Sequence, residues 1–270
     1  MSKFRFNSYF KIFLFAVSSV TVLTITLPIL VLISTQIPDY RMFLKTLTSH
    51  DVWGVIVLTY AAALTSTIVS VVLGVPLAYV LARYEFPGKR AVESFMDLPA
   101  VVPHTVAGIA LLSVLGSSGI VGKFSPVNFV DAFPGVVAAM LFVSFPIFLN
   151  NAREGFAKVD RRLEAVARTL GASHSKAFLS VTLPLSARNI AAGAIVAWAR
   201  AVSEFGAIVV IAYYPLVAST LIYDRYLSEG LNAAEPIAVL LILLTLLIFS
   251  ALRFVFWREE DGASREAVIR

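Results

Sequence analysis

The chain has 270 residues, of which 59% are hydrophobic and only 14% are charged, and its mean hydropathy is +0.85. A soluble domain carries roughly 25% charged residues, so this composition excludes a soluble globular protein. The formal net charge of +5 is scattered over several short segments, which excludes the basic patch of a nucleic-acid-binding protein. We therefore expect a multi-pass protein of the cell membrane, surrounded by lipid and without a nucleic-acid partner.

Six stretches of low charge are long enough to cross a bilayer, since a helix rising about 1.5 Å per residue needs roughly twenty apolar residues to cross a ~30 Å core. These predicted spans cover residues 10–33, 54–82, 95–116, 132–150, 189–213 and 234–257. The predicted fold is an all-α membrane protein in which six transmembrane helices form a single domain over residues 1–270.

The distribution of Lys and Arg predicts the orientation, because cytoplasmic loops hold the excess of basic residues. With the N-terminus inside, most basic residues fall on the cytoplasmic side, and the opposite side holds only Arg41, Lys45, Lys123 and Arg225. An even number of spans returns the C-terminus to the cytoplasm. It also places the long polar loop 151–188 there.

Several prolines lie within the predicted spans. Pro76 and Pro146 are expected to interrupt the second and fourth spans, and Pro99 and Pro103 to bend the beginning of the third. Such breaks are tolerated in a membrane where neighbouring helices or water satisfy the freed carbonyl groups.

The loop 151–188 contains a helical pattern. Leu163, Val166, Ala167 and Leu170 recur at steps of three and four residues, which predicts one apolar face on a short amphipathic helix. We expect Gly171 to end this helix in a left-handed conformation and Ser173 to cap a second helix, which Pro184 would then break or redirect. Two short helices meeting at a glycine predict a compact projection. The alternative is an ordinary interfacial loop whose positive charges only set the topology.

The fifth predicted span contains two charges. Arg200 and Glu204 are four residues apart, so on a continuous helix they share one face and pair. Charges at this depth are costly and face a bundle interior or a wet cavity. Together with Phe205 and with Gly206, which would allow close backbone approach, they are candidates for a pathway or gate. The alternative is a pair that only fixes helix packing.

The sequence contains no catalytic signature. H-E-x-x-H and G-x-S-x-G are absent, and the nearest approach to a phosphate-binding loop, residues 117–124, lacks the first Gly and the final Ser or Thr. The chain has no Cys, and its three His residues are far apart in sequence. We therefore expect a non-enzymatic subunit that carries no catalytic residue, metal or cofactor of its own, so that its energy comes from a partner or from an ion gradient.

The segment from Glu164 to Gly171, followed after nine residues by Val181 to Pro184, resembles the EAA signature of ABC-importer permeases. The resemblance implies that this loop couples to a cytoplasmic ATPase, through Glu164, Ala165, Ala167, Leu170, Gly171, Ala172, Val181, Leu183 and Pro184. Two positions depart from the general pattern. Ala165 stands where the family usually has Glu, one residue after the Glu of this chain, and Val181 stands where it usually has Ile.

Further motifs resemble the molybdate, tungstate and sulfate branch of these permeases. They are Asp97-Leu98-Pro99 with Pro103, Leu183-Pro184-Leu185, and the segment Arg200 to Gly206. Ser203-Glu204-Phe205-Gly206, Ala212-Tyr213-Tyr214-Pro215 and Leu221-Ile222-Tyr223 look closest to archaeal molybdate/tungstate permeases.

The resemblance implies a type I importer permease that acts as a homodimer. Its expected partners are two cytoplasmic ABC ATPase subunits, which bind ATP and Mg²⁺, and an extracellular or periplasmic binding protein that delivers a tetrahedral oxyanion. The alternative is a secondary anion transporter or channel driven by an ion gradient, with Arg200 and Glu204 as substrate and proton sites. A membrane scaffold or receptor subunit would leave the loop unexplained. The sequence of this subunit does not separate molybdate from tungstate or sulfate.

Overall fold

The computed structural model describes the backbone of residues 8–269 and the side chains of residues 9–254. All regular structure in that range is helical and includes one short π-helical turn, Phe178–Thr182. The helices are α1 (Ser8–Ser34), α2 (Tyr40–Thr48), α3 (His50–Arg83), α4 (Lys89–Val101), α5 (His104–Leu115), α6 (Phe133–Lys158), α7 (Arg161–Thr169), α8 (His174–Ala177), α9 (Leu183–Val202), α10 (Ile208–Ile211), α11 (Ala218–Glu229) and α12 (Leu231–Ile269).

Five continuous helices within the described residues are long and apolar enough to cross a membrane, and the bent pair α4 and α5 makes a sixth crossing if it counts as one span. The prediction of six spans in an all-α membrane protein is therefore confirmed. Helix α6 is the central helix and packs along α3 and α9, while α1 lies at the periphery against α12.

The α3 helix shows why the bundle packs as it does. Its buried face carries small residues such as Ala62, Ala63 and Ser66, whereas large aliphatic residues such as Leu64 and Ile68 are exposed. Lipid is as apolar as leucine, so helices associate through close packing of small side chains rather than by hiding apolar ones. The Ser66 hydroxyl donates to the Ala63 carbonyl at 2.9 Å, which leaves no unsatisfied polar group at the contact.

The predicted third span, residues 95–116, is not one continuous helix, because α4 and α5 meet at a bend of 116°. Val102 is extended, as the steric conflict with the ring of a following proline requires, and α5 begins directly after Pro103. The expected bend is confirmed at Pro103, whereas Pro99 lies inside α4.

The other prolines do not break their helices. Pro76 and Pro146 lie inside α3 and α6, so the expected interruptions are wrong. Pro184 also breaks nothing, since residues His174–Val202 form one helical segment. Pro184 lies in the first turn of α9, where a missing N–H is easily tolerated, directly after the π-helical turn.

The predicted ends of three spans also need correction. Helix α6 continues to Lys158 rather than residue 150, and α12 covers Leu231–Ile269 rather than 234–257. Helix α9 ends at Val202, so the fifth span does not reach residue 213. The segment after α9 forms an irregular turn and then the four-residue helix α10. Helix α11 comes next and connects this segment to α12. The loop is therefore shorter than the predicted 151–188, because its first residues belong to α6 and its last residues to α9.

Candidate functional site

Residues 160–177, between α6 and α9, form a projection, which we call the knob. Helix α7 begins after Asp160, whose carboxylate accepts a hydrogen bond from the Arg162 N–H at 2.9 Å. Gly171 follows its last turn with a φ of +92°, the left-handed conformation expected of it. The Ser173 hydroxyl accepts from the Lys176 N–H at 3.2 Å and caps α8. The predicted helix, glycine turn and cap are therefore confirmed as local structure.

The apolar face of α7 points into solvent. Leu163, Val166 and Leu170 are 45%, 56% and 84% exposed, and no residue of α7 is buried. Arg162 and Arg168 are exposed beside them. An uncovered apolar strip with a basic rim, on a helix outside the bilayer, is typical of a protein docking surface.

The nine loop residues singled out from the sequence do not form one surface. Ala165, Leu170 and Gly171 are exposed, while Ala167 and Ala172 are half-buried in the knob. Val181, Leu183 and Pro184 lie instead in the π-helical turn and the first turn of α9, at the base of the membrane helix, where Leu183 packs against the core.

Glu164 lies on the inner side of the knob. One carboxylate oxygen, Oε1, is 2.9 Å from Arg83 Nη2 and accepts from the Thr182 hydroxyl at 2.6 Å. The other, Oε2, accepts from the Tyr79 hydroxyl at 3.2 Å. Arg83 in turn donates from Nη1 to the Val159 carbonyl at 2.9 Å. These contacts join the knob to α3 and to the beginning of the helix that enters the membrane as α9.

The turn beside the knob, residues 84–88, also carries a pair of charges. Lys89 Nζ donates to Glu85 Oε1 at 2.7 Å. This hydrogen bond and the charge of Lys89 lower the pKa of the exposed Glu85 carboxyl. Glu85 is therefore ionised at neutral pH, and the pair adds no net charge to the cytoplasmic face.

A cluster of Arg200, Glu204 and His104 lies at the far end of α9. Arg200 Nη2 donates to Glu204 Oε2 at 2.9 Å, so the predicted pair is present, although Glu204 follows the helix rather than sharing a face within it. His104 Nδ1 lies 3.0 Å from Glu204 Oε2. The Ala207 N–H donates to Glu204 Oε1 at 2.9 Å. The Glu204 side chain is only 1% exposed, so these partners replace its hydration.

The two residues after Glu204 link this cluster to neighbouring helices. Phe205 packs against Tyr223 of α11 with ring centroids 5.0 Å apart, and both line an apolar cavity of about 530 Å³ between α9, α11 and α12. A Cβ on Gly206 would lie 2.6 Å from the Cβ of His104. Only a glycine allows α5 to approach this closely, as expected for Gly206.

His104 is the member of this cluster that sequence reasoning missed. It is 100 residues from Glu204 in the chain, so no local spacing predicts their contact. Its position directly after Pro103, at a predicted break inside the membrane, is the signal that could have identified it. Among the described residues, no group of three or more His, Cys, Asp or Glu side chains could hold a metal ion.

The helical bundle, the broken third span and the projecting knob together fit a permease subunit of a membrane transporter. Residues 70–259 match the family described as "Binding-protein-dependent transport system inner membrane component", and the chain belongs to this family. It is accordingly a multi-pass protein of the cell membrane.

Relatives cover almost the whole chain. "Molybdate/tungstate transport system permease protein WtpB" of Thermococcus kodakarensis is 45% identical over 93% of this chain and 98% of that protein. The protein of the same description from Pyrococcus abyssi is 42% identical over the same shares. A chain of a bacterial ABC transporter involved in the import of alginate has a TM-score of 0.72 at 17% identity, covering 91% of this chain and 95% of that one, which shows that the two chains share a fold.

Proposed function

We propose that this chain is the pore subunit of an ATP-driven, binding-protein-dependent importer of molybdate or tungstate. The observation that carries the ATP-driven part is the uncovered apolar strip of Leu163, Val166 and Leu170 on the knob, which fits a cytoplasmic ATPase. The substrate class rests on the relatives at 42% and 45% identity, which are described as molybdate/tungstate permeases.

The partners follow from the single knob of each chain. Nucleotide and Mg²⁺ would be held by the ATPase, since the sequence has no phosphate-binding loop of its own. Two ATPase subunits need two knobs, so a homodimer with an isologous interface supplies one to each. A binding protein on the outer side would deliver the oxyanion to the pore, and selectivity among oxyanions would lie in that protein.

The path from the knob to the charged cluster is one helical segment. Residues His174–Val202 cover 29 residues, or roughly 43 Å at the rise of an α-helix, and they connect the knob to Arg200. When the ATPase subunits close on ATP, the knobs move together, and this segment carries the movement to Arg200, Glu204, Phe205 and Gly206. We propose these four residues as the gate, which alternates access between the two sides.

Reconstitution in vesicles tests the proposal directly. The chain, assembled with its ATPase and supplied with its binding protein, should take up molybdate or tungstate only when ATP and Mg²⁺ are present. Uptake that follows a proton or sodium gradient without ATP would instead support a secondary transporter.

Docking is tested separately on the knob. Leu170→Asp places a charge on the most exposed residue of the apolar strip and should abolish copurification of the ATPase. The control Thr169→Asp adds the same charge at an exposed position outside the strip and should leave copurification intact. Unchanged copurification with Leu170→Asp would contradict docking at this surface.

A further inference from the structure

We propose that Glu164 and Arg83 are positioning residues that fix the orientation of the knob, and that Glu164 acts inside the permease rather than on the ATPase. This inference rests on the proposed function, because the knob is taken to be the element that an ATPase moves. It departs from the role that the motif resemblance implies for Glu164.

The first support is where the Glu164 carboxylate lies. Arg83 of α3 and Thr182 of the π-helical turn contact its Oε1, and Tyr79 of α3 contacts its Oε2. The Glu164 side chain is 19% exposed. A carboxylate surrounded by three partners of its own chain has little capacity left for a second protein.

The second support is the charge of Arg83, whose side chain is only 5% exposed. Its Nη1 donates to the Val159 carbonyl, but Nε and Nη2 are buried without a hydrogen-bond partner. The 2.9 Å approach of Nη2 to Glu164 is therefore an ion pair without hydrogen-bond geometry. Glu164 balances a positive charge that has lost its hydration, and a second role at an interface would leave that charge uncompensated.

The third support is the rigid surface beneath the pair. The ring of Tyr79 packs edge-on against Phe178, with centroids 4.7 Å apart, and against Phe156 at 5.5 Å. Aromatic contacts of this kind restrict ring orientation, which directs the Tyr79 hydroxyl at Glu164. A movement of the knob would therefore pass to α3 through Arg83 and to α9 through Thr182 at the same time.

The test uses the assembled importer with Glu164→Gln, Arg83→Gln and the double variant. Each should retain ATPase copurification and basal ATP hydrolysis, while the transport per ATP hydrolysed falls about tenfold, as expected for loss of a charged contact. The double variant should be no worse than either single one, since both remove the same interaction. The exchange Arg83→Glu with Glu164→Arg should restore part of the coupling.

A matched control is available in the ion pair between Arg153 and Glu93, whose atoms are 2.8 Å apart and which joins α6 to α4 without involving a residue of the knob. Arg153→Gln and Glu93→Gln should leave transport per ATP unchanged. If the charge variants do not insert, Tyr79→Phe and Thr182→Val remove one hydrogen bond each and should lower coupling in the same direction.

A second readout needs no ATPase, so its result is independent of the proposed function. The chain has no Cys, and spin labels at Arg90→Cys and Thr169→Cys report the position of the knob relative to α4. The distance distribution should be narrow in the parent and should broaden in Glu164→Gln. An unchanged distribution would overturn the proposal, as would loss of ATPase binding in Glu164→Gln but not in Arg83→Gln, which would identify Glu164 as an ATPase contact.

Discussion

Replacing Gly171 with Val should uncouple ATP hydrolysis from transport while the permease still inserts. Gly171 has a φ of +92°, and a Cβ built on it meets no atom within 4 Å. The substitution therefore causes no collision, and its cost is backbone strain alone. For an L-residue in a left-handed conformation this strain is about 1–2 kcal/mol, and a β-branched side chain lies toward the upper end.

The strain acts on two hydrogen bonds that close the turn. The Gly171 N–H donates to the Arg168 carbonyl and the Ala172 N–H to the Ala167 carbonyl, each at 3.0 Å. A penalty of about 1–2 kcal/mol raises the population of a turn without these bonds by roughly 5- to 30-fold. Leu170, the most exposed apolar residue of the knob, would then leave its position in the strip.

The assay compares substrate-stimulated ATP hydrolysis and uptake per inserted molecule. Both should fall in Gly171→Val, whereas Gly171→Asn, which tolerates a left-handed conformation, should retain most activity. Gly230→Val is the matched control, because Gly230 has a φ of +88° and open space around its Cβ but lies between α11 and α12. Normal coupling in Gly171→Val, or an equal loss in Gly230→Val, would refute the reasoning.

Three further predictions concern the membrane part of the chain. Glu204→Ala leaves Arg200 without its buried counter-charge and should lower stability by about 3–5 kcal/mol, measured by unfolding in detergent, whereas a double change of Arg200 and Glu204 to apolar residues should recover folding. If the double variant folds but does not transport, the pair belongs to a gate, and if it both folds and transports, the pair is structural. Full activity in each single variant would contradict both interpretations. Gly206→Ala forces a Cβ within 2.6 Å of the His104 Cβ and should cost about 1–3 kcal/mol, and an unchanged melting temperature would contradict this packing. Cysteines at the exposed positions Ser175 and Ser228 should react with impermeant reagents only from the cytoplasmic and outer sides respectively, and labelling of Ser175 from outside would overturn the orientation.

Local patterns in the sequence were sufficient for the knob. The spacing of Leu163, Val166 and Leu170 predicted helix α7, and Gly171 and Ser173 predicted its end and the next cap. These features depend on interactions between residues a few positions apart, such as a capping hydroxyl or the absence of a Cβ. Neighbouring residues therefore carried the information.

Apolar length was a poorer guide to where membrane helices end. Residues 203–213 are nearly as apolar as those before them, yet the helix stops at Val202 because the following turn is held by the Glu204 carboxylate and by Gly206 against α5. A hydropathy profile measures how favourably side chains leave water. Apolar side chains score the same in a membrane helix and in a turn buried among other helices, so the profile does not show where the helix ends. The bend at Pro103 was predictable, by contrast, because the proline itself marks it in the sequence.

The sequence by itself therefore determined the class of protein, the number of spans and the local form of the knob, because composition, apolar length and short-range spacing follow from elementary solvation and backbone sterics. The tertiary structure alone decided that Glu164 faces Arg83 and that His104 joins Arg200 and Glu204. These partners lie 81 and 100 residues from one another in the chain, since Glu164 follows Arg83 and Glu204 follows His104 by those distances. Such pairings depend on how the helices pack around α6. The small residues at these helix contacts form no sequence pattern that predicts which charged residues will come together.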